Sequence, residues 1–142
     1  MGELERCRHR SYQGAEVMNR SKFYEWLLTG VVAIVMIGGG LAHLMNPQGF
    51  APLVPSFLPA LPVILGAGVL QIAIGLAAVI PRYRIWGGLA FAALCFGYLP
   101  LHVWDFFRPD PVFPPPVAAT IRVVVQLLFI AIGLQLAKQR TK

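Results

Sequence analysis

Charge is what this chain lacks first: only 13% of its 142 residues are Asp, Glu, Lys or Arg, and none lies between Glu25 and Arg82. A soluble domain does not tolerate so long an uncharged apolar stretch, so the class is set before any motif is read. Cysteine is scarce too, with Cys7 in a polar N-terminal stretch and Cys95 inside an apolar run. The two are not expected to meet in a disulfide, and the lack of a CxxC pair argues against thiol-disulfide redox chemistry. No haem, nucleotide or catalytic fingerprint occurs anywhere in the chain.

What remains is hydrophobic: 57% of the residues are apolar or aromatic, and the mean hydropathy is +0.67. Four runs approach the roughly 20 residues needed to cross a bilayer, at 26–45, 62–80, 86–104 and 117–137. Lipid offers the backbone no hydrogen-bond partner, so each run is expected to be a helix. The fold class read from this is all-α, an integral membrane four-helix bundle spanning 26–137. Residues 1–25 read as a mobile polar tail and 138–142 as a short basic one. Met18, followed by Asn-Arg-Ser-Lys, resembles a start just ahead of the first span, which would make residues 1–17 a start-site artefact. The first run is too long for a signal-peptide core and is read as a retained helix.

The pI near 9.9 reflects membrane orientation and not nucleic-acid binding. Ten of the twelve Lys and Arg residues fall in the N-terminal stretch, the turn at 82–85 and the C-terminal tail, against Arg108 alone in the connections at 46–61 and 105–116. The excess predicts both termini on the cytoplasmic side. The 46–61 connection, NPQGFAPLVPSFLPAL, mixes prolines with Phe50, Leu53, Val54, Phe57 and Leu58. It reads as an interfacial segment packed as a lid over the outer end of the bundle. The 105–116 connection, DFFRPDPVFPPP, is proline-rich, aromatic and stiff.

Polar residues inside the runs are few. The first carries Met36, Gly39, Gly40 and His43 on one face, and the second carries Ala67, Gln71 and Gly75. The third carries Gly88, Ala92, Cys95, Leu99 and His102, with Pro100 freeing the carbonyl of Phe96. The fourth holds Arg122 and Gln126 one turn apart within IRVVVQ. An arginine there needs a partner, a polar pocket or an exit to the headgroups. With both termini inside, His43, His102 and Asp105 fall near the outer end, Arg122 about 8 Å below it at 1.5 Å per residue, and Gln71 and Gln126 deeper. This predicts one polar pocket, with Arg122 paired to Asp105 at rest. Each member also has a structural reading: Arg122 as a bridge, His43 as a cap, His102 bonded to the carbonyl that Pro100 frees, and Gln71 as interhelical glue. No metal site is expected, since Arg122 would set a fixed positive charge beside the cation.

The stretches GLAHLMNP at 40–47, VPSFLP at 54–59 and the GVLQIAIGLAAVIPRYR segment at 68–84, with Pro100, His102, Arg122 and Gln126, occur in an order and spacing that resembles the DoxX-like family of small four-helix membrane proteins. The resemblance spans about residues 38–136. It implies a bacterial or archaeal cytoplasmic membrane protein linked to membrane redox complexes, the family being named for a subunit of a thiosulfate:quinone oxidoreductase. This chain departs from that pattern at Gln71, where many relatives have glutamate, and at His102, where relatives often have asparagine, so a proton-carrying role does not transfer to either position. The expected function is an accessory subunit of a redox complex that holds a quinone or similar lipophile, in contact with the bilayer and with partner proteins or further copies of itself. The alternatives are a small oligomeric transporter for an anionic solute, with Arg122 as its selectivity charge, and a non-catalytic scaffold.

Overall fold

A computed structural model of the chain describes the backbone of residues 2–139 and the side chains of residues 21–139. Helix α1 covers Gly2–Met45, short helix α2 Pro47–Phe50, α3 Ala60–Val79, α4 Arg84–Trp104 and α5 Val117–Lys138. Prolines punctuate this order: Pro47 and Pro81 open the short turns after α1 and α3, and Pro59 and Pro116 stand immediately ahead of α3 and α5. Four of these helices are long and apolar enough to cross a membrane, over Ser21–Met45, Ala60–Val79, Pro81–Trp104 and Val117–Lys138. The chain is a multi-pass helical membrane protein, and the four spans overlap the four apolar runs.

The N-terminal stretch, read as a polar tail, has a helical backbone from Gly2 onward. Its backbone continues α1 as one 44-residue helix. No proline interrupts residues 1–46, and helix propagation from an already formed span adds one hydrogen bond per residue fixed. The side chains of residues 1–20, Cys7 included, and all of residues 140–142 lie outside the described set, as does most of the basic tail.

The bundle is built from two tight antiparallel pairs, α1 on α3 and α4 on α5, joined chiefly where α3 meets α4. Glycine makes both pairs close. A Cβ on Gly40 would sit 2.6 Å from the carbonyl oxygen of Gly68, and one on Gly88 would sit 2.8 Å from that of Gly133. In lipid, where apolar burial no longer drives association, such close backbone contact supplies the packing energy. The core between the pairs is thin and apolar, formed by Leu28, Val32, Met36, Ile74, Ala78, Phe91, Cys95 and Leu136. Outward faces carry exposed large side chains such as Ile34, Val69, Trp86, Phe96 and Leu128, as a lipid-facing surface requires.

The two hairpins repeat one another. Glu25 and Arg84 are 59 residues apart. The same spacing relates Val32 to Phe91, Met36 to Cys95, His43 to His102 and Asn46 to Asp105. Val32, Met36, Phe91 and Cys95 are all buried, so the repeat preserves the inward face. The partner helices share the pentapeptide IAIGL at 72–76 and 130–134. Both hairpins run in the same direction, so the repeat is parallel, about an axis along the bundle. It sets both histidines at the end where the two proline-rich connections lie.

At the opposite end Arg84 donates to Glu25, with the guanidinium 5.5 Å from the centroid of the Trp26 ring. Arg84, counted in the 82–85 turn, is the first residue of α4 and is buried, only 4% exposed, and it pairs with Glu25 from the stretch read as a tail.

Candidate functional site: the polar end of the bundle

Asp105, at the C-cap of α4, is 2% exposed and collects three donors. Arg122 Nη1 donates to Oδ2 at 3.1 Å, the backbone N–H of Val112 donates to Oδ1 at 3.2 Å, and Arg108 Nη1 lies 3.7 Å from Oδ1. The expected partner of Arg122 is thus the one present. Burial at this depth removes water from the carboxylate, and the pair is tolerable because its charges and lone pairs are answered. Arg122 also lies 3.8 Å from the centroid of the Phe113 ring, a stacked cation–π contact from the 105–116 connection. Arg108 reaches across to the carbonyl oxygen of Pro52 at 3.5 Å and ties the two connections together.

One turn deeper, Gln126 is buried and its Nε2 donates to the carbonyl of Cys95 at 2.5 Å. Pro100 lacks the N–H that would answer the carbonyl of Phe96. The expectation was that His102 would take the carbonyl of Phe96. Gln126 takes the neighbouring carbonyl of Cys95. His102 Nδ1 is buried without a hydrogen-bond partner.

His43 and Gln71 belong to the other hairpin. His43 Nδ1 donates to the carbonyl of Gly39 at 2.7 Å, and its ring stacks on Phe50 with centroids 4.0 Å apart. Gln71 is 4% exposed and its carboxamide meets the Tyr98 hydroxyl, while its Oε1 has no partner. The six candidates therefore divide. His102, Asp105, Arg122 and Gln126 gather between α4 and α5; His43 and Gln71 sit around Gly39 between α1 and α3; Tyr98 joins Gln71 to α4.

The lid is also partial. Phe50 turns onto His43, but Phe57 is 82% exposed and Leu58 is exposed as well, because Pro55 and Pro59 break the segment and carry its tip outward. On the outward face of α4, Phe96, Leu99, Pro100, Val103, Trp104 and Phe107 line an apolar groove of about 310 Å³. Among the described residues no group of three or more His, Cys, Asp or Glu is placed to hold a metal.

Sequence reasoning missed Tyr98, Arg108, Phe113 and the Glu25–Arg84 pair. Tyr98 stands one turn before His102 on the inward stripe, and that spacing was the signal available for it.

A family model described as Domain of unknown function (DUF8561) matches residues 32–137, a segment that contains all six candidates. No curated protein and no solved structure matches the chain.

Proposed function

This chain belongs to the family described as Domain of unknown function (DUF8561), so its role is read from the site itself, and we propose that it holds the head group of a quinone-like lipophile at the polar end of the bundle. In this reading it serves as an accessory subunit of a membrane redox complex, both termini face the cytoplasm, and the membrane is the cytoplasmic one of a bacterium or archaeon. The positive-inside count supports the orientation. The likeness to DoxX-like proteins supports the redox association.

The observation that carries the proposal is the buried, unpartnered Nδ1 of His102 near the Arg122–Asp105 ion pair. Leaving such a group unanswered costs about 1–3 kcal/mol, a cost that a ligand's polar atom removes. Arg122 and Gln126, on the facing helix, are the polar side chains beside it that could position a head-group oxygen. Gln71 stands by in the first hairpin as a further positioning group. No step of chemistry is assigned to any of these residues.

Passage of a solute fits less well. The polar end and the Glu25–Arg84 end are separated by the apolar layer of Val32, Met36, Ile74 and Phe91, with no polar side chain among them to carry an ion. The test is thermal unfolding of the purified protein with and without a short-chain benzoquinone. At a hundredfold excess over Kd a single site stabilises by about 2.7 kcal/mol, and the melting temperature rises. An unchanged melting temperature, in protein that also carries no copurified quinone by mass spectrometry, removes the proposal.

A further inference from the structure

The apolar groove on the outward face of α4 is not used by the polar end. Phe96, Leu99, Pro100, Val103, Trp104 and Phe107 recur at helical spacing and enclose about 310 Å³. Phe96 stands exposed at one end of this row, and Trp104 and Phe107 stand exposed at the other. The smaller Pro100 and Val103 lie between them, and an added Cβ on neighbouring Gly97 would meet nothing within 4 Å. The helix surface is therefore a trough here, bounded by rings.

Its length is that of one leaflet. From Phe96 to Phe107 a helix rises about 16 Å at 1.5 Å per residue, close to half of a hydrocarbon core of roughly 30 Å. Phe96 falls near the middle of the Pro81–Trp104 span and Phe107 just beyond its end. The groove thus runs from mid-membrane to the end where the two connections lie. A partner helix would follow α4 through both leaflets, whereas an acyl chain ends at the midplane.

A cation stands at the mouth. The N–H of Arg108 donates to the carbonyl oxygen of Trp104 at 3.0 Å, so the helical turn continues and Arg108 comes one turn above Trp104. Its Nη1 lies 3.7 Å from Asp105 Oδ1 and 3.5 Å from the carbonyl oxygen of Pro52, both long contacts, and the side chain stays partly exposed. Arg122 and the N–H of Val112 already answer that carboxylate at 3.1 and 3.2 Å. The other N–H groups of Arg108 have no partner among the described residues. A guanidinium matches the paired oxygens of a phosphate. Asp110, two residues on, is exposed, so recognition rests on that fitted contact and not on a strongly basic loop.

We propose that this groove seats one acyl chain of a phospholipid from the leaflet at the connection end, with Arg108 on its phosphate. The occupant is a bilayer lipid because the groove continues the lipid-facing surface, stops at mid-membrane and has a cation at its outer end. It lies on the outward face of α4, so it stands whether or not the polar end takes a head group.

Trp104 is one of three tryptophans and lines the groove. In a Trp26→Phe, Trp86→Phe background its fluorescence alone reports occupancy. The full chain in detergent is titrated with a phosphatidylglycerol brominated at mid-chain, which quenches tryptophan on contact, and with the diacylglycerol of the same chains. Glycerol phosphate serves as a competitor without chains. The phospholipid is expected to quench Trp104 saturably, at about fivefold lower concentration than the diacylglycerol, the reach of an exposed ion pair. Arg108→Gln is expected to remove that difference, and Val103→Phe, which fills the trough, to remove saturation while the variant still unfolds cooperatively. Trp86, left alone by Trp26→Phe and Trp104→Phe, lies on the same helix outside the groove and is expected to show only unsaturable quenching. Unsaturable quenching of Trp104, equal affinity for the two lipids, an undiminished preference in Arg108→Gln, or displacement of the lipid by glycerol phosphate overturns the proposal.

Discussion

Asp105 is the residue on which the polar end depends, because two arginines and a backbone N–H converge on one buried carboxylate. Asp105→Ala strands Arg122 and Arg108 without their anion and is expected to cost about 3–5 kcal/mol in chemical unfolding in detergent. The double variant Asp105→Leu with Arg122→Met removes both charges and is expected to cost less than Asp105→Ala alone. A simple sum of the single effects would contradict the pairing. Arg84 and Glu25 form the counterpart at the other end, and Glu25→Ala leaves a buried arginine unpaired there. Its expected effect is also destabilising, read in the same unfolding assay. The Arg122–Asp105 pair was legible in the sequence because an arginine one turn into an apolar helix needs an anion, and Asp105 was one of two carboxylates at that depth. The Glu25–Arg84 pair was not, because both residues border charged segments, where a solvated side chain is the ordinary reading. Only the inward turn of the first residue of α4 distinguishes them.

At the scale of the helix, glycine positions decide the packing. Gly88→Leu forces a side chain into the backbone of Gly133 and is expected to separate α4 from α5, with loss of cooperative unfolding. Gly97→Leu, on the same helix with nothing within 4 Å of its Cβ position, is expected to fold as the wild type does. Comparing yield and melting temperature of the two variants checks the assignment of the inward face. The four spans could be read from the sequence because length and apolarity suffice for them, and prolines mark their limits. The division of the polar residues between two hairpins could not. Helical spacing tells which residues share a face of one helix, but not which neighbouring helix that face meets. That is why His43 was grouped with Arg122 when it bonds the carbonyl of Gly39. The 46–61 connection was read as a lid from its apolar content alone, whereas proline placement sends Phe57 away from the bundle.

The whole molecule is two helix pairs, α1 with α3 and α4 with α5, with different polar residues at the connection end. The first has Asn46 capping α2 through the N–H of Gly49, while the second has Asp105 binding two arginines. The proposed orientation is checked by single cysteines introduced in a Cys7→Ser, Cys95→Ala background. A cysteine at Ser56 is expected to react with a membrane-impermeant thiol reagent added to intact cells, and one at Tyr83 to react only after permeabilisation. The reverse pattern would invert the bundle. The central claim, that the polar end holds a quinone-type head group at His102, is tested most directly by measuring the binding of a short-chain quinol to the purified wild-type protein and to His102→Phe. The account predicts saturable binding by the wild type and at least tenfold weaker binding by a variant that still unfolds cooperatively. Equal affinity in the two proteins would contradict it.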